Sequence, residues 1–205
     1  RNKLVLPGDL IYKDQNGDGV INDYDSRPIG YAEGGLPYMT YGLNLACSYK
    51  GFDIGIDFAG AALQSFQRNW ETKWPFQAGN TFNYMVEDRW HHEDPLDPST
   101  PWVSGNYPAL RPQSVNAWHV YCNNSTYWLT NAAYFRMKNL EIGYTIPQKI
   151  TQKIAMQKFR VFFNGTNLFS IDNTSKFGLD PENSDTNGLG YPMVRVLTFG
   201  ATITF

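Results

Sequence analysis

The chain is short of the residues that catalytic and nucleic-acid-binding surfaces are built from. Lys and Arg number 17 against 19 Asp and Glu, for a net charge of -2. With a pI near 5.9 and no stripe of cations to meet phosphates, a nucleic-acid surface is excluded. There are three His and two Cys. Cys47 and Cys122 could form one disulfide, but the strand reading below puts them at opposite ends of a sheet wall. A bridge needs Cα atoms within about 7 Å, so two free thiols are expected, with no Cys–His metal set. No nucleophile, base and orienting group fall at a recognisable spacing, so no enzyme is expected. No apolar run approaches the roughly 18 residues of a membrane helix, and the mean hydropathy is below zero. That excludes helical spans only, because an alternating strand averages to neutral hydropathy. The 205 residues start at Arg1 without Met or signal peptide, which reads as a processed or excised piece.

Aromatic residues, by contrast, are plentiful at 16%. The end of the chain, Met193 to Phe205, alternates: Leu197, Phe199, Ala201, Ile203 and Phe205 against Thr198, Gly200, Thr202 and Thr204. Successive strand side chains point to opposite faces. The pattern predicts an amphipathic strand over Met193–Phe205, ending on an aromatic residue as the closing strand of an outer-membrane β-barrel does. Met39, Tyr41, Leu43, Leu45, Cys47 and Tyr49 form a second apolar phase, which resumes after Lys50-Gly51 with Phe52, Ile54, Ile56 and Phe58. This is a β-hairpin over 38–62. Its arms have the length a tilted strand needs to cross hydrocarbon, with Tyr49 and Phe52 placed for an aromatic girdle.

Residues 63–130 lose all periodicity and hold all six Trp (Trp70, Trp74, Trp90, Trp102, Trp118, Trp128). So many aromatics exclude disorder, and the stretch reads as a folded extracellular loop. Trp70, Trp74, Trp90 and Trp102 are candidates to stack on a ligand such as a sugar; the competing reading is that the tryptophans form the loop's own small core. His91-His92-Glu93-Asp94 is assigned no metal. From Asn131 strands return. Leu140, Ile142, Tyr144 and Ile146 oppose Asn139, Glu141, Gly143 and Thr145, while Arg136 and Lys138 break the apolar phase. Either a bulge near Lys138 resets the register, or both cations stand at the level of lipid phosphates. After a link at 147–157, a fourth strand carries Phe159, Val161 and Phe163 outward and Arg160, Asn164 and Thr166 inward. A loop from about Ser170 to Tyr191 precedes the final strand.

Gly8 to Asp25 (GDLIYKDQNGDGVINDYD) has the spacing of a calcium loop. Asp14, Asn16 and Asp18 fall at its first, third and fifth positions, Gly19 at the sixth, and Val20 and Asp25 at the seventh and twelfth. Alternate residues of a tight loop supply the oxygens a hard cation needs. Asp in place of Glu at the twelfth position shortens the reach, and no flanking helix is expected, so this is not an EF-hand proper. An acidic surface turn holding no ion is the alternative.

Short and long connections alternate, as periplasmic turns alternate with extracellular loops. With Phe205 at the periplasmic face, the Asp14 loop (1–37), the Trp-rich loop (63–130) and the 170–191 loop lie outside the cell. Five one-sided strands cannot close, and open edges are not tolerated in lipid, so further barrel strands are required.

Taken in order, GD-x-x-Y-x-D-x-NGDG-x-I (from Gly8), YKGFD (Tyr49 to Asp53), AYFRMKNLEIGYTIP (Ala133 to Pro147), NGTNLF (Asn164 to Phe169), DPE (Asp180 to Glu182) and the closing Phe205 resemble the C-terminal part of SusC/RagA-type TonB-linked outer-membrane proteins of Bacteroidota. The resemblance spans nearly the whole chain. It implies an all-β transmembrane barrel of about 22 strands, of which 131–205 supplies the last three, with a plug domain absent here. It also implies import of oligosaccharides or peptides, a SusD-like surface lipoprotein and TonB as partners, and outer-membrane lipid around the wall. The family's acidic loop maps onto Asp14, Asn16, Asp18, Val20 and Asp25, with Ca2+ as the expected ion. Phe205 would be an assembly signal and interface anchor. The reading of a different class is a secreted calcium-binding β-domain that recognises glycans.

Overall fold

The structure is a computed structural model that describes residues 5–31, 36–111, 123–183, 185 and 187–205. Trp118 and Cys122 lie outside the described residues; Cys47 is an exposed free thiol. The chain forms two compact units, one from Leu36–Gln64, Ala132–Asn173 and Tyr191–Phe205, the other from the residues up to 35, Ser65–Asn131 and Thr174–Gly190.

The first unit is a five-stranded antiparallel sheet. Its strands are β1 (Met39–Tyr49), β2 (Phe52–Ala62), β7 (Tyr134–Thr145), β8 (Lys158–Asp172) and β9 (Val196–Thr204), adjacent in that order. The intervening labels belong to short strands of the other unit. Strand β1 turns into β2 through Lys50 and Gly51, both at positive φ (48° and 89°), the tight turn whose twist matches a hairpin. Gly51 is required there, since a Cβ would sit 2.7 Å from the Thr145 carbonyl oxygen. Strands β7 and β8 are joined by α2 (Gln148–Thr151) and a 3-10 turn, Gln152–Ile154. Both short connections therefore lie at one end of the sheet and both long ones at the other.

Register sorts the side chains into two faces. Cys47, Ile54, Ile142, Phe163 and Phe199 stand in one row, and Leu45, Ile56, Leu140 and Leu197 in the next. This apolar face is exposed: Leu43 is 49% accessible, Leu45 48%, Leu197 56% and Phe199 79%.

The defect at Arg136 and Lys138 is a bulge. Asp57 pairs with Asn139 and Phe58 with Met137, so Lys138 is an extra residue against β2. Opposite the same point, β8 inserts two residues, Asn167 and Leu168, between the partners of Asn139 and Met137. The inserts grow by one residue from strand to strand, as a local bend requires. Above the bulge Phe135 and Met137 return to the apolar face and Arg136 turns to the polar one, where it is buried.

The final strand is shorter than the periodicity predicts, Val196–Thr204 instead of Met193–Phe205. Its pairing with β8 stops at Thr166–Val196, because Asn167 adopts φ 51° and breaks the ladder. The Asn167 side-chain amide then takes the Val194 carbonyl at 3.1 Å. Strand β8 in turn runs through Ser170 to Asp172, into the segment expected to be loop.

The second unit holds the buried core: Trp74, Met85, Tyr107 and Trp128, with Leu10, Phe82, Tyr84, Leu110 and Tyr127 against them. It also contains elements too short for any period to announce. These are β3 (Ser65–Gln67) paired with β6 (Leu129–Asn131), β4 (His91–His92) paired with β5 (Trp102–Val103), and α1 (Asn83–Glu87).

The bulge yields a deletion test. Removing Lys138 leaves the alternation of β7 intact, so the folded form, read by its resistance to protease, is retained. Removing Ile56 moves Asp53 to the apolar face, since a one-residue slip inverts a strand, and the protease-resistant form is lost.

Candidate functional site

Three places in the fold carry polar or aromatic chemistry. The first is the acidic loop. Asp14 accepts the N–H groups of Gly17 (2.6 Å) and Gly19 (2.8 Å) on its two carboxylate oxygens. Asn16 Oδ1 accepts from the Asp18 N–H at 2.9 Å, and Asp18 Oδ1 from the Val20 N–H at 2.8 Å. These are side-chain turns of the kind Asp and Asn form, made possible by Gly17 and Gly19 at φ 78° and 79°. Asp25 closes the ring, accepting from Gln15 N–H and Asn22 N–H, both at 2.8 Å. It is also the return partner of a capping box with Asn22 on the 3-10 turn Asp23–Asp25. The N–H groups of Asn22, then Gln15, hold its carboxyl below the ordinary 3.8. The predicted residues thus lie in one loop whose carboxylates are turned to its own N–H groups, Asp25 Oδ1 accepting from both Gln15 and Asn16 and Asp18 Oδ2 from the Asn16 side-chain amide. Among the described residues, no group of three or more His, Cys, Asp or Glu side chains stands as a metal cluster.

The second place is the aromatic unit. Trp74 (7% exposed) and Trp128 (0%) are core residues, so Trp74 presents no face to a ligand. Trp90 covers Gly8, where a Cβ would lie 2.3 Å from its ring. Trp102 packs on His92 with centroids 4.1 Å apart, and His92 Nδ1 donates to the Thr100 carbonyl at 2.6 Å. Trp70 is the most exposed of the described tryptophans at 48%. A residue the sequence reading passed over sits among them. The buried Arg68 guanidinium lies 4.2 Å from the Phe177 centroid, 4.9 Å from Trp128, 5.5 Å from Tyr127 and 5.7 Å from Tyr84. It donates to the Tyr127 carbonyl at 2.6 Å. Cation–π attraction grows as the cation is desolvated, which suits a caged Arg. Burial pushes the hydroxyls of Tyr84 and Tyr127 up to about 12 against the opposing pull of Arg68.

The third place, also missed as a unit, is the polar face of the sheet. Arg160 spans three strands. It binds Asp53 on β2 through both Nε (3.2 Å) and Nη2, and Glu141 on β7 at 2.6 Å. One turn of pleat further along, Asn164 donates to Asn139 at 2.9 Å, and Asp57 accepts from the amides of Asn139 and Asn44. Period-two spacing had placed Arg160 and Asn164 inward; which carboxylates they meet follows only from register. Gly143 is the opening that lets Arg160 reach Asp53, since a Cβ there would lie 2.3 Å from Arg160 Nη2 and 2.5 Å from Asp53 Oδ2.

A double-mutant cycle tests that opening. Half-exposed ion pairs couple by about 0.2–1 kcal/mol, and Asp53→Asn with Arg160→Gln in the refolded barrel is expected to show coupling in that range. In a Gly143→Ala background the coupling vanishes; an unchanged value would refute the role given to Gly143.

No protein-family profile matches the chain. Two curated relatives from Formosa agariphila do: TonB-dependent receptor P3 and TonB-dependent receptor P26, each 28% identical over 97% of this chain, covering 19% and 20% of their own lengths. The chain thus spans about a fifth of the relatives it matches. Among solved structures, the RagAB peptide transporter is similar at a TM-score of 0.54, and the RagAB peptide importer in its closed-closed state at 0.57. Both share 22% identity, over 84% of this chain and 18% of theirs. The chain has the all-β fold of TonB-dependent transporter barrel strands and is similar over nearly its whole length to TonB-dependent receptors.

Proposed function

We propose that the sheet is part of the wall of an outer-membrane importer that takes up oligosaccharides or peptides and performs no covalent chemistry of its own. The observation that carries this is the exposure of the sheet's apolar face while hydrogen-bonded polar groups occupy the other. In water that arrangement is inverted; around a lumen in lipid it is the stable one. Strands β1 and β9 each have one partner among the described strands, so the remaining strands of the same barrel complete the wall. The short connections face the periplasm and the three long loops the outside. A SusD-like surface lipoprotein covers the mouth, and TonB supplies energy through parts of the protein beyond this stretch. The solved structures it resembles are described as peptide transporters and importers, which supports the substrate class. Trp70 and the partly exposed Trp90 and Trp102 are the residues that would each stack on a sugar ring. Phe205, 75% exposed just past β9, serves as interface anchor and assembly signal.

Fractionation tests the wall. The full-length protein is expected in the outer membrane as a heat-modifiable band, with less of that band when Phe205 is deleted. Recovery of intact protein from the medium would instead favour the secreted glycan-binding domain, and normal assembly without Phe205 would remove the role given to it.

For the acidic loop we propose a Ca2+ ion held by Asp14, Asn16, Asp18, Val20 and Asp25, supported by spacing and by turns that pre-form the loop. Its affinity would fall in the weak extracellular regime of about 10⁻⁴ to 10⁻³ M. Asp18→Ala should abolish calcium measured in the purified protein by equilibrium dialysis; equal calcium in variant and parent would dismiss the ion and leave a loop held by hydrogen bonds alone.

A further inference from the structure

One aromatic side chain stands on the polar face of the sheet, against the alternation. Register sets Gly143, Phe162 and Gly200 side by side across β7, β8 and β9, in the row that Asp53 continues on β2. Arg160 and Asn164 share that face, two residues away on either side. Between the short connections and the bulge, Phe162 is the one ring on this face among the described residues.

Its ring does not stand upright. A Cβ at Gly200 would lie 2.3 Å from Phe162 Cζ and 2.7 and 3.0 Å from the two Cε atoms. Distances so nearly equal place that point over the face of the ring, not off its edge. Phe162 therefore lies down across β9, one face on the Gly200 backbone and the other turned away from the sheet, and it is partly exposed. Glycine inside a strand marks a place where a ligand or another backbone approaches closely. Thr198 and Thr202, both exposed, flank Gly200 on the same face. The Arg160 guanidinium carbon lies 5.3 Å from the ring centroid, yet the group reaches the opposite way, to Asp53 and Glu141. Lys158, on the same face, shares Asp53. Two cations thus meet two carboxylates, and the surround of the ring carries no net charge.

We propose that Phe162 is the platform of a subsite for one ring of a neutral oligosaccharide, with sugar C–H groups on the phenyl face and sugar hydroxyls on Asn164, Thr198 and Thr202. The inference rests on the reading of the sheet as an importer's wall and deepens it, since the polar face then lines the lumen. Charge balance selects the ligand. An anionic or cationic peptide finds no unmatched counter-charge here, whereas a sugar needs a flat apolar surface rimmed by a few hydrogen-bonding groups, the usual make-up of a small-molecule site.

The test uses the full-length protein in nanodiscs, titrated by calorimetry with maltohexaose, cellohexaose and xylohexaose, and with penta-alanine as the peptide comparison. The parent should bind at least one hexasaccharide. Phe162→Leu keeps an apolar cover over Gly200 and should weaken that binding about tenfold, while Phe162→Trp should retain it. Thr198→Val with Thr202→Val, which leaves the ring in place, should also weaken it about tenfold. Trp70→Ala in the loop should leave the ratio between parent and Phe162→Leu unchanged. Equal affinity in parent and Phe162→Leu overturns the platform and leaves the ring as a shield for the Gly200 backbone. Binding of none of the hexasaccharides overturns it too, as does penta-alanine binding that is lost in Phe162→Leu. These results leave the wall standing; failure of the parent to enter nanodiscs as a heat-modifiable band overturns the wall and the subsite with it.

Discussion

Backbone N–H and C=O groups in hydrocarbon have no water to turn to, and each one left unpaired costs several kcal/mol. In the wall proposed above, the sheet would answer this with its nearly continuous antiparallel pairing from β1 to β9. Everything else about it follows from keeping that ladder intact while the two faces meet different surroundings. Side chains then carry no burden of burial. The sheet has an exposed apolar face where a soluble domain would have a core.

Where the ladder must bend, residues are added in steps. Lys138 is extra on β7, Asn167 and Leu168 are extra on β8, and the count rises across neighbouring strands. The bend also rescues the pattern, because it carries Arg136 off the apolar face. The same logic explains the polar side. Arg160 can cross from β8 to β2 only because Gly143 on the intervening strand has no side chain. A glycine that weakens a strand locally thus permits a three-strand bond.

How much of this was legible in the sequence depended on whether the signal was periodic. Strands β1 and β2 and the apolar row of β7 were readable because Met39 to Phe58 and Leu140 to Ile146 alternate with few defects. The start of β9 was not, because it is decided by the φ of Asn167 on another strand. Strands β3 to β6 have two or three residues each, too few to show a period. The Arg68 cage draws Tyr84, Tyr127, Trp128 and Phe177 from distant parts of the chain, and nothing local to Arg68 marks it. For the acidic loop, composition and spacing named the residues, and in the structure their side chains bind the loop's own backbone N–H groups. Neither spacing nor hydrogen bonding separates an ion-holding loop from a self-satisfied one, since Asp14, Asp18 and Asp25 bind backbone N–H groups in both.

The two units therefore divide the physical work. The aromatic unit has little regular backbone but a dry core, with Trp128 and Met85 fully enclosed, so large-to-small changes there create cavities and cost stability in any solvent. The sheet has regular backbone but no such core, so in the wall proposed above its stability would depend on what lies against it: lipid on one face, neighbouring strands at both edges, water and polar groups on the other. A truncation such as Leu43→Ala would remove little internal packing and mainly reduce apolar area offered to lipid. Sensitivity to the surroundings, more than to internal packing, is the property that distinguishes a wall from a domain.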